Sequence, residues 1–127
     1  MTLYIDIENK KLVQSITSDR SVSTPVFMQG DNEPLEIFLL EKGEDTIFSP
    51  KALTVGNDFL RVAIARFKGY PKSLTYASGY TLNPNGGAEV LLPLNTKDIE
   101  IALQEQEYIS AFLEVEYSDT GGKVITV

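Results

Sequence analysis

Short runs of alternating apolar and polar residues recur along the whole chain, and residues that favour turns close each run. A period of two places the apolar side chains on one face, so each run predicts a half-buried β-strand. In the clearest run, residues 59–67, Leu60, Val62 and Ile64 share one face. Further runs cover residues 3–8, 11–16, 25–29, 34–42, 88–94, 109–117 and 123–127. The sequence therefore predicts an all-β, mainly antiparallel fold.

Only one segment has helical spacing. Asn95 or Thr96 can cap a helix, and apolar residues recur from Ile99 at i, i+3 and i+4. We therefore predict one short helix near residues 96–107, which covers one end of the sheets.

The number of runs and the length of the chain together predict the architecture. The chain has 127 residues, a common size for one domain with one core. We predict a single domain over residues 1–127, because the sequence contains no linker, internal repeat or low-complexity segment. Eight to ten short strands with one helix are typical of a β-sandwich, either Ig-like or jelly-roll-like.

The chain is acidic, and this disfavours two classes of partner. It has 11 basic and 18 acidic residues, which give a net charge of −7 at pH 7. Binding to phosphate groups depends on Lys and Arg, so we expect no nucleic-acid partner and no anionic membrane. No apolar run approaches the length of a membrane span. The acidic surface favours solubility, and a basic partner or a cation is the alternative.

Histidine and cysteine are absent, which removes the usual general base, the thiolate nucleophile and the commonest zinc ligands. We therefore expect no catalytic residue, no metal site and no cofactor, and predict that the chain is not an enzyme. Glu114 and Glu116 share one strand face and could form a hydrolytic pair, but a solvated face explains them better. Residues 30–33 resemble a fragment of a calcium loop without its spaced acids, so a plain turn is favoured.

Three tyrosines lie in a turn-rich region, residues 69–87, among glycines and prolines. Tyrosine offers a large contact area at low entropic cost, so we predict that Tyr70, Tyr76 and Tyr80 bind a partner. The polar residues 17–24, an exposed loop or weak edge strand, are a second candidate contact. A partner protein and a carbohydrate both fit exposed tyrosines, and covering the rim of the core is the structural alternative.

The order of features resembles a known group of proteins. The residues that carry the resemblance are Leu3-Tyr4-Ile5-Asp6 with its hairpin, Val26-Phe27-Met28-Gln29-Gly30-Asp31 leading into Pro34-Leu35-Glu36-Ile37, Leu92-Pro93-Leu94-Asn95-Thr96 with the short helix, and Phe112-Leu113-Glu114-Val115-Glu116-Tyr117. Together they are similar to β-sandwich proteins of bacteriophage and prophage structural modules, akin to the N-terminal domain of phage baseplate upper proteins.

The resemblance implies a virion structural protein of the tail or baseplate type, made in the host bacterial cytoplasm. Its expected partners are other virion subunits, and a homo-oligomer such as a ring or trimer is implied. A carbohydrate-binding module that uses the exposed tyrosines of residues 69–87 is the alternative function.

Overall fold

The computed structural model of the chain describes residues 1–22, 25–30, 32–44, 46–67, 72–119 and 124–126, the last three by their backbone alone. These residues form eleven strands and one helix. The elements are β1 (Thr2–Asp6), β2 (Lys11–Ser15), β3 (Ser18–Ser21), β4 (Glu33–Lys42), β5 (Phe48–Pro50), β6 (Phe59–Ala65), β7 (Ser73–Ala77), β8 (Thr81–Leu82), β9 (Ala88–Leu92), α1 (Lys97–Leu103), β10 (Phe112–Ser118) and β11 (Val124–Thr126).

The strands form two sheets. The larger sheet has seven strands in the order β3-β2-β1-β4-β9-β8, with β5 paired to β4. The smaller sheet has four strands in the order β11-β10-β6-β7. Strands β1 and β4 pair in parallel, and the other pairings of the described strands are antiparallel. The predicted all-β, mainly antiparallel class with one short helix is confirmed.

The main core lies between the two sheets. The inner faces of β1, β4 and β9 supply apolar side chains from the larger sheet, and β6 and β10 supply them from the smaller one. The largest fully buried side chains in this core are Ile5, Leu35, Ile37, Leu60, Val62, Val90, Leu92, Val115 and Tyr117. Burial of their apolar surface holds the two sheets together as a sandwich.

A second apolar cluster closes the outer face of the larger sheet. Its buried members are Val13, Phe38, Leu40 and Phe48. The ring of Tyr4 stacks on that of Phe38, with 5.3 Å between their centroids. These side chains alternate with those of the main core, because successive residues of a strand point to opposite faces. We define this second cluster as the closed face.

The turn before β9 packs against one edge of the closed face. The Nδ2 atom of Asn83 donates a hydrogen bond of 2.6 Å to Oε2 of Glu36. Gly87 lies so near that a Cβ atom there would be 2.8 Å from Cγ of Glu36 and 3.1 Å from Cζ of Phe38. The second face of β4 is therefore half-buried at Glu36 and fully covered at Phe38 and Leu40.

The helix begins as predicted and ends earlier. Thr96 is its N-cap, and the Thr96 hydroxyl accepts a hydrogen bond from the backbone N–H of Ile99 and donates one to the carbonyl of Leu74. Gln104 and Glu105 both have positive φ angles, 45° and 64°, so the helix stops at Leu103 rather than near residue 107.

Several strand predictions need correction. The eleven strands exceed the eight to ten expected, because short segments such as β3 and β8 also pair. Residues 25–29, predicted as a strand, form none: Val26 and Met28 are each 83% exposed, and Pro25 has no N–H to donate to a ladder. Of the two alternatives predicted for residues 17–24, an exposed loop or a weak edge strand, the structure has the edge strand β3 at Ser18–Ser21, and residues 23–24 lie outside the described residues.

Candidate interaction surface

The outer face of the smaller sheet carries three exposed aromatic side chains. Phe59, Tyr76 and Phe112 are 40%, 58% and 46% exposed, and they lie on the adjacent strands β6, β7 and β10. Charged residues lie between and beside them. We define the open face as Phe59, Arg61, Tyr76, Phe112, Glu114 and Glu116.

The register of the three strands places these residues in rows. Ala63 of β6 pairs with Tyr76 on one side and with Glu114 on the other. In the next row, Arg61 pairs with Glu116. Ala63 itself is fully buried beneath its larger neighbours. The small side chain of Ala63 therefore lies at the centre of the open face, with the Tyr76 ring on the β7 side and the carboxylates of Glu114 and Glu116 on the β10 side.

Arg61 contacts the β7 side of the open face. Its Cζ atom lies 5.0 Å from the centroid of the Tyr76 ring, within the range of a cation–π interaction. Its Nη2 atom donates a hydrogen bond of 3.0 Å to Oγ of Ser73, which belongs to the row of Ala65. The guanidinium group thus reaches along the sheet towards Ser73 and orients the Tyr76 ring.

Two carboxylates on β10 have no partner among the residues that the structure describes. Glu114 and Glu116 pair with Ala63 and Arg61 in the register, which confirms that they share one face. Neither side chain has a hydrogen bond or an ion pair with any residue that the structure describes. Because Arg61 is directed to Tyr76 and Ser73, no described residue compensates the negative charge on this flank of the open face.

The three predicted tyrosines do not form one site. Tyr76 lies on the open face, whereas Tyr70 lies outside the described residues. Tyr80 is half-buried against the main core, and its hydroxyl donates hydrogen bonds to the carbonyls of Thr54 and Asp58, at 3.3 and 2.8 Å. Burial, followed by the negative charge of Asp58, raises the pKa of Tyr80. Tyr80 therefore fits the structural alternative to partner binding, in which a tyrosine covers the rim of the core.

Sequence reasoning did not single out Arg61, Phe59 or Phe112 as functional. Alternation places Arg61 and Leu60 on opposite faces of their strand, but it does not predict that the Arg61 guanidinium contacts a tyrosine ring. That contact depends on the pairing of β6 with β7, which are joined through residues 66–72. For Phe59 and Phe112, the only signal in the sequence was an aromatic residue on the polar face of a predicted strand.

The described residues hold neither a cluster of metal-binding side chains nor a helix that could cross a membrane. None of their acidic side chains form a group of three or more that could hold a metal ion. The helices among them include none with the length and apolar character needed to cross a bilayer.

Comparison with known proteins identifies no relative of this chain. No protein-family model, no curated protein and no solved structure gives a significant match to the chain. A function for this chain therefore has to be argued from its own surface.

Proposed function

We propose that the chain is a non-enzymatic structural protein that acts through protein–protein assembly, as a tail- or baseplate-type subunit of a bacteriophage or prophage virion. The observation that carries the assembly role is the open face, where three exposed aromatic side chains and an arginine lie on one face of adjacent strands. The virion context rests on the resemblance of the strand order and turns to phage baseplate proteins.

Four of the six residues of the open face, Phe59, Arg61, Tyr76 and Phe112, are of types that protein interfaces favour. Aromatic residues and arginine are enriched at the centres of interfaces, and a few of them supply most of the binding energy. Arg61 already holds the ring of Tyr76, so less conformational freedom is lost when a partner covers it. The aromatic residues Phe59 and Phe112 offer further apolar area on the neighbouring strands.

Charge on the open face favours a basic partner. The carboxylates of Glu114 and Glu116 lack partners in the described structure, and the whole chain carries a net charge of −7. A partner that brings Lys or Arg to this flank would associate faster at low salt, because complementary charge steers the encounter. We therefore expect a surface of opposite charge on the neighbouring virion subunit.

Co-expression with the products of the neighbouring genes tests the assembly role. We expect a tagged chain to co-purify with one of these products, in a complex whose mass can be measured. Because central aromatic residues are typical hot spots, Tyr76→Ala and Phe112→Ala should each weaken the complex by about tenfold or more.

Tyr108→Ala is the matched control. Tyr108 is 79% exposed but lies outside both sheets, in the segment that follows α1, so its loss should leave the complex unchanged. Equal effects of all three variants, or no effect of Tyr76→Ala and Phe112→Ala, would refute the assignment of the interface to the open face.

Carbohydrate binding is the second candidate, and the exposed ring of Tyr76 beside polar groups favours it. Tyr80 contributes no platform for a sugar, because its ring and hydroxyl are used inside the molecule. Titration with soluble polysaccharides separates the candidates: saturable binding that is lost in Tyr76→Ala would favour the carbohydrate, and no binding would favour assembly.

A further inference from the structure

The turn between β8 and β9 contains the sequence Asn85-Gly86. Of the six asparagines in the chain, only Asn85 is followed by a glycine. The backbone N–H of Gly86 donates a hydrogen bond of 3.0 Å to the carbonyl of Asn83, and the N–H of Asn83 donates one of 2.8 Å to the carbonyl of Gly87. Gly86 has a φ angle of 92°. These contacts are typical of a type I turn followed by a left-handed glycine, which joins two antiparallel strands.

An asparagine that precedes a glycine is chemically labile in water. The backbone nitrogen of the glycine loses its proton to hydroxide and attacks Cγ of the asparagine side chain. The new C–N bond closes a five-membered succinimide ring, while the bond from Cγ to Nδ2 breaks and Nδ2 leaves as ammonia with a proton from water. Water then opens the ring to give aspartate or isoaspartate. Glycine favours the reaction because it has no Cβ atom to hinder the attack.

The folded turn restrains both reacting groups. The N–H of Gly86, which must lose its proton, is held by the carbonyl of Asn83. Oδ1 of Asn85 accepts a hydrogen bond of 3.0 Å from the backbone N–H of Gly87, which fixes the side chain. Asn85 is itself exposed, so water and hydroxide reach it. The attack therefore requires the turn to open locally, and the hydrogen bonds that hold the turn oppose it.

A carboxylate attaches this turn to the edge of the closed face. Oε2 of Glu36 accepts a hydrogen bond of 2.6 Å from Nδ2 of Asn83 and one of 3.4 Å from Nδ2 of Asn85. Deamidation replaces the second donor by a carboxylate oxygen, so two negative charges would face each other where a hydrogen bond now lies, and like charges repel. Isoaspartate also lengthens the backbone by one atom, which does not fit the hydrogen bonds of this turn.

We infer that Asn85 is a site of spontaneous deamidation, and that its product weakens the attachment of the turn to the closed face. The hydrogen bonds of the turn slow the reaction in the folded chain, and the contact between Asn83 and Glu36 supports them. This inference is independent of the proposed assembly function, because the turn belongs to the larger sheet and the open face to the smaller one.

Peptide mapping by mass spectrometry tests the site. The folded chain and the chain unfolded in urea are incubated at mildly alkaline pH, and each deamidation adds one dalton. We expect this gain at Asn85 in both samples, and faster in urea. Asn83 is the internal control, because Pro84 has no N–H that could attack it. Asn83→Ala should speed the reaction of the folded chain roughly three- to tenfold, since it removes a hydrogen bond to Glu36, and should leave the rate in urea unchanged.

Aspartate substitution tests the consequence. Asn85→Asp introduces the product's carboxylate without the longer backbone, so the equilibrium constant for folding should fall roughly three- to tenfold in urea unfolding. Asn95→Asp is the matched control, because it adds the same charge at an exposed position before α1, where a carboxylate is favourable. In a Glu36→Gln background, Asn85→Asp should cost much less, since the pair of like charges is absent.

Four results would overturn the inference. No modification of Asn85 in the folded chain would exclude the site. Equal rates in the folded and unfolded chains, or an unchanged rate in folded Asn83→Ala, would show that the turn does not control the reaction. Equal effects of Asn85→Asp and Asn95→Asp on folding would show that the product does not weaken the attachment to Glu36.

Discussion

The outer faces of the two sheets carry similar residues and differ in what covers them. On the closed face, Phe38 and Phe48 are only 6% and 8% exposed, because other apolar side chains of the larger sheet pack around them. On the open face, Phe59, Tyr76 and Phe112 remain between 40% and 58% exposed. The same class of side chain is thus a second core on one sheet and a free surface on the other.

This difference separates residues that stabilise the fold from residues available to a partner. Burial of an aromatic side chain contributes to stability roughly in proportion to the apolar area removed from water. The aromatic side chains of the closed face are buried within the chain and so stabilise the fold. Those of the open face are still exposed to solvent and do not make this contribution. Three aromatic residues remain exposed on one face of adjacent strands, and their apolar area is available for a partner to cover.

Phenylalanine truncation on each face is the strongest test of this comparison. Phe38→Ala removes a buried ring that stacks on Tyr4, so we expect a loss of about 3–5 kcal/mol in the free energy of unfolding. Phe112→Ala removes a half-exposed ring and should cost at most about 1 kcal/mol. Urea unfolding measures both. Equal losses would mean that the open face also supports the fold.

The pH dependence of stability tests the burial of Tyr117 in the main core between the two sheets. Burial, followed by the negative charges of Asp58, Asp119 and Glu41, raises the pKa of Tyr117 from 10.0 to about 12. The unfolded chain loses this proton near pH 10 while the folded chain keeps it, so stability falls as pH rises from 10 to about 12. The contribution is about 1.4 kcal/mol for each pH unit in this range.

Tyr117→Phe should remove this contribution to the alkaline loss of stability. At neutral pH the substitution should cost little, because the Tyr117 hydroxyl is buried without a hydrogen-bond partner among the described residues. Urea unfolding of both proteins between pH 9 and 12 provides the measurement. An unchanged slope in the variant would show that Tyr117 titrates as a solvent-exposed tyrosine.

Glycine substitutions test how tightly the closed face is packed. A Cβ atom at Gly87 would approach Glu36 and Phe38 at 2.8 and 3.1 Å, so Gly87→Ala should cost about 1–2 kcal/mol. Gly79→Ala is the matched control, since a Cβ atom there meets nothing within 4 Å. Thermal unfolding should distinguish the two, and equal midpoints would indicate that the closed face yields easily.

Local patterns predicted the elements better than their partners. Alternation predicted strands at β1, β2, β6, β10 and β11, because each run depends only on residues near it in the sequence. The cap at Thr96 predicted where the helix begins. Its end was missed, since the left-handed conformation at Gln104 and Glu105 is taken by residues without a strong preference for it.

The open face could not be predicted in the same way. Tyr76 was named for its exposure among turn residues, but its neighbours Ala63 and Glu114 lie far away in the sequence. Only the pairing of three strands brings them together. Tyr80 has a similar sequence context to Tyr76, yet its hydroxyl finds two backbone carbonyls, a contact that no pattern of residue types reveals.

Oxidative footprinting of the assembled complex can show whether a partner covers the open face. Hydroxyl radicals label exposed aromatic side chains, so Tyr76 and Phe112 should be labelled in the free chain, as should Tyr108. In the complex with its partner, we expect strong protection of Tyr76 and Phe112 and unchanged labelling of Tyr108. Unchanged labelling of Tyr76 and Phe112 in a complex of confirmed mass would show that the open face is not the interface.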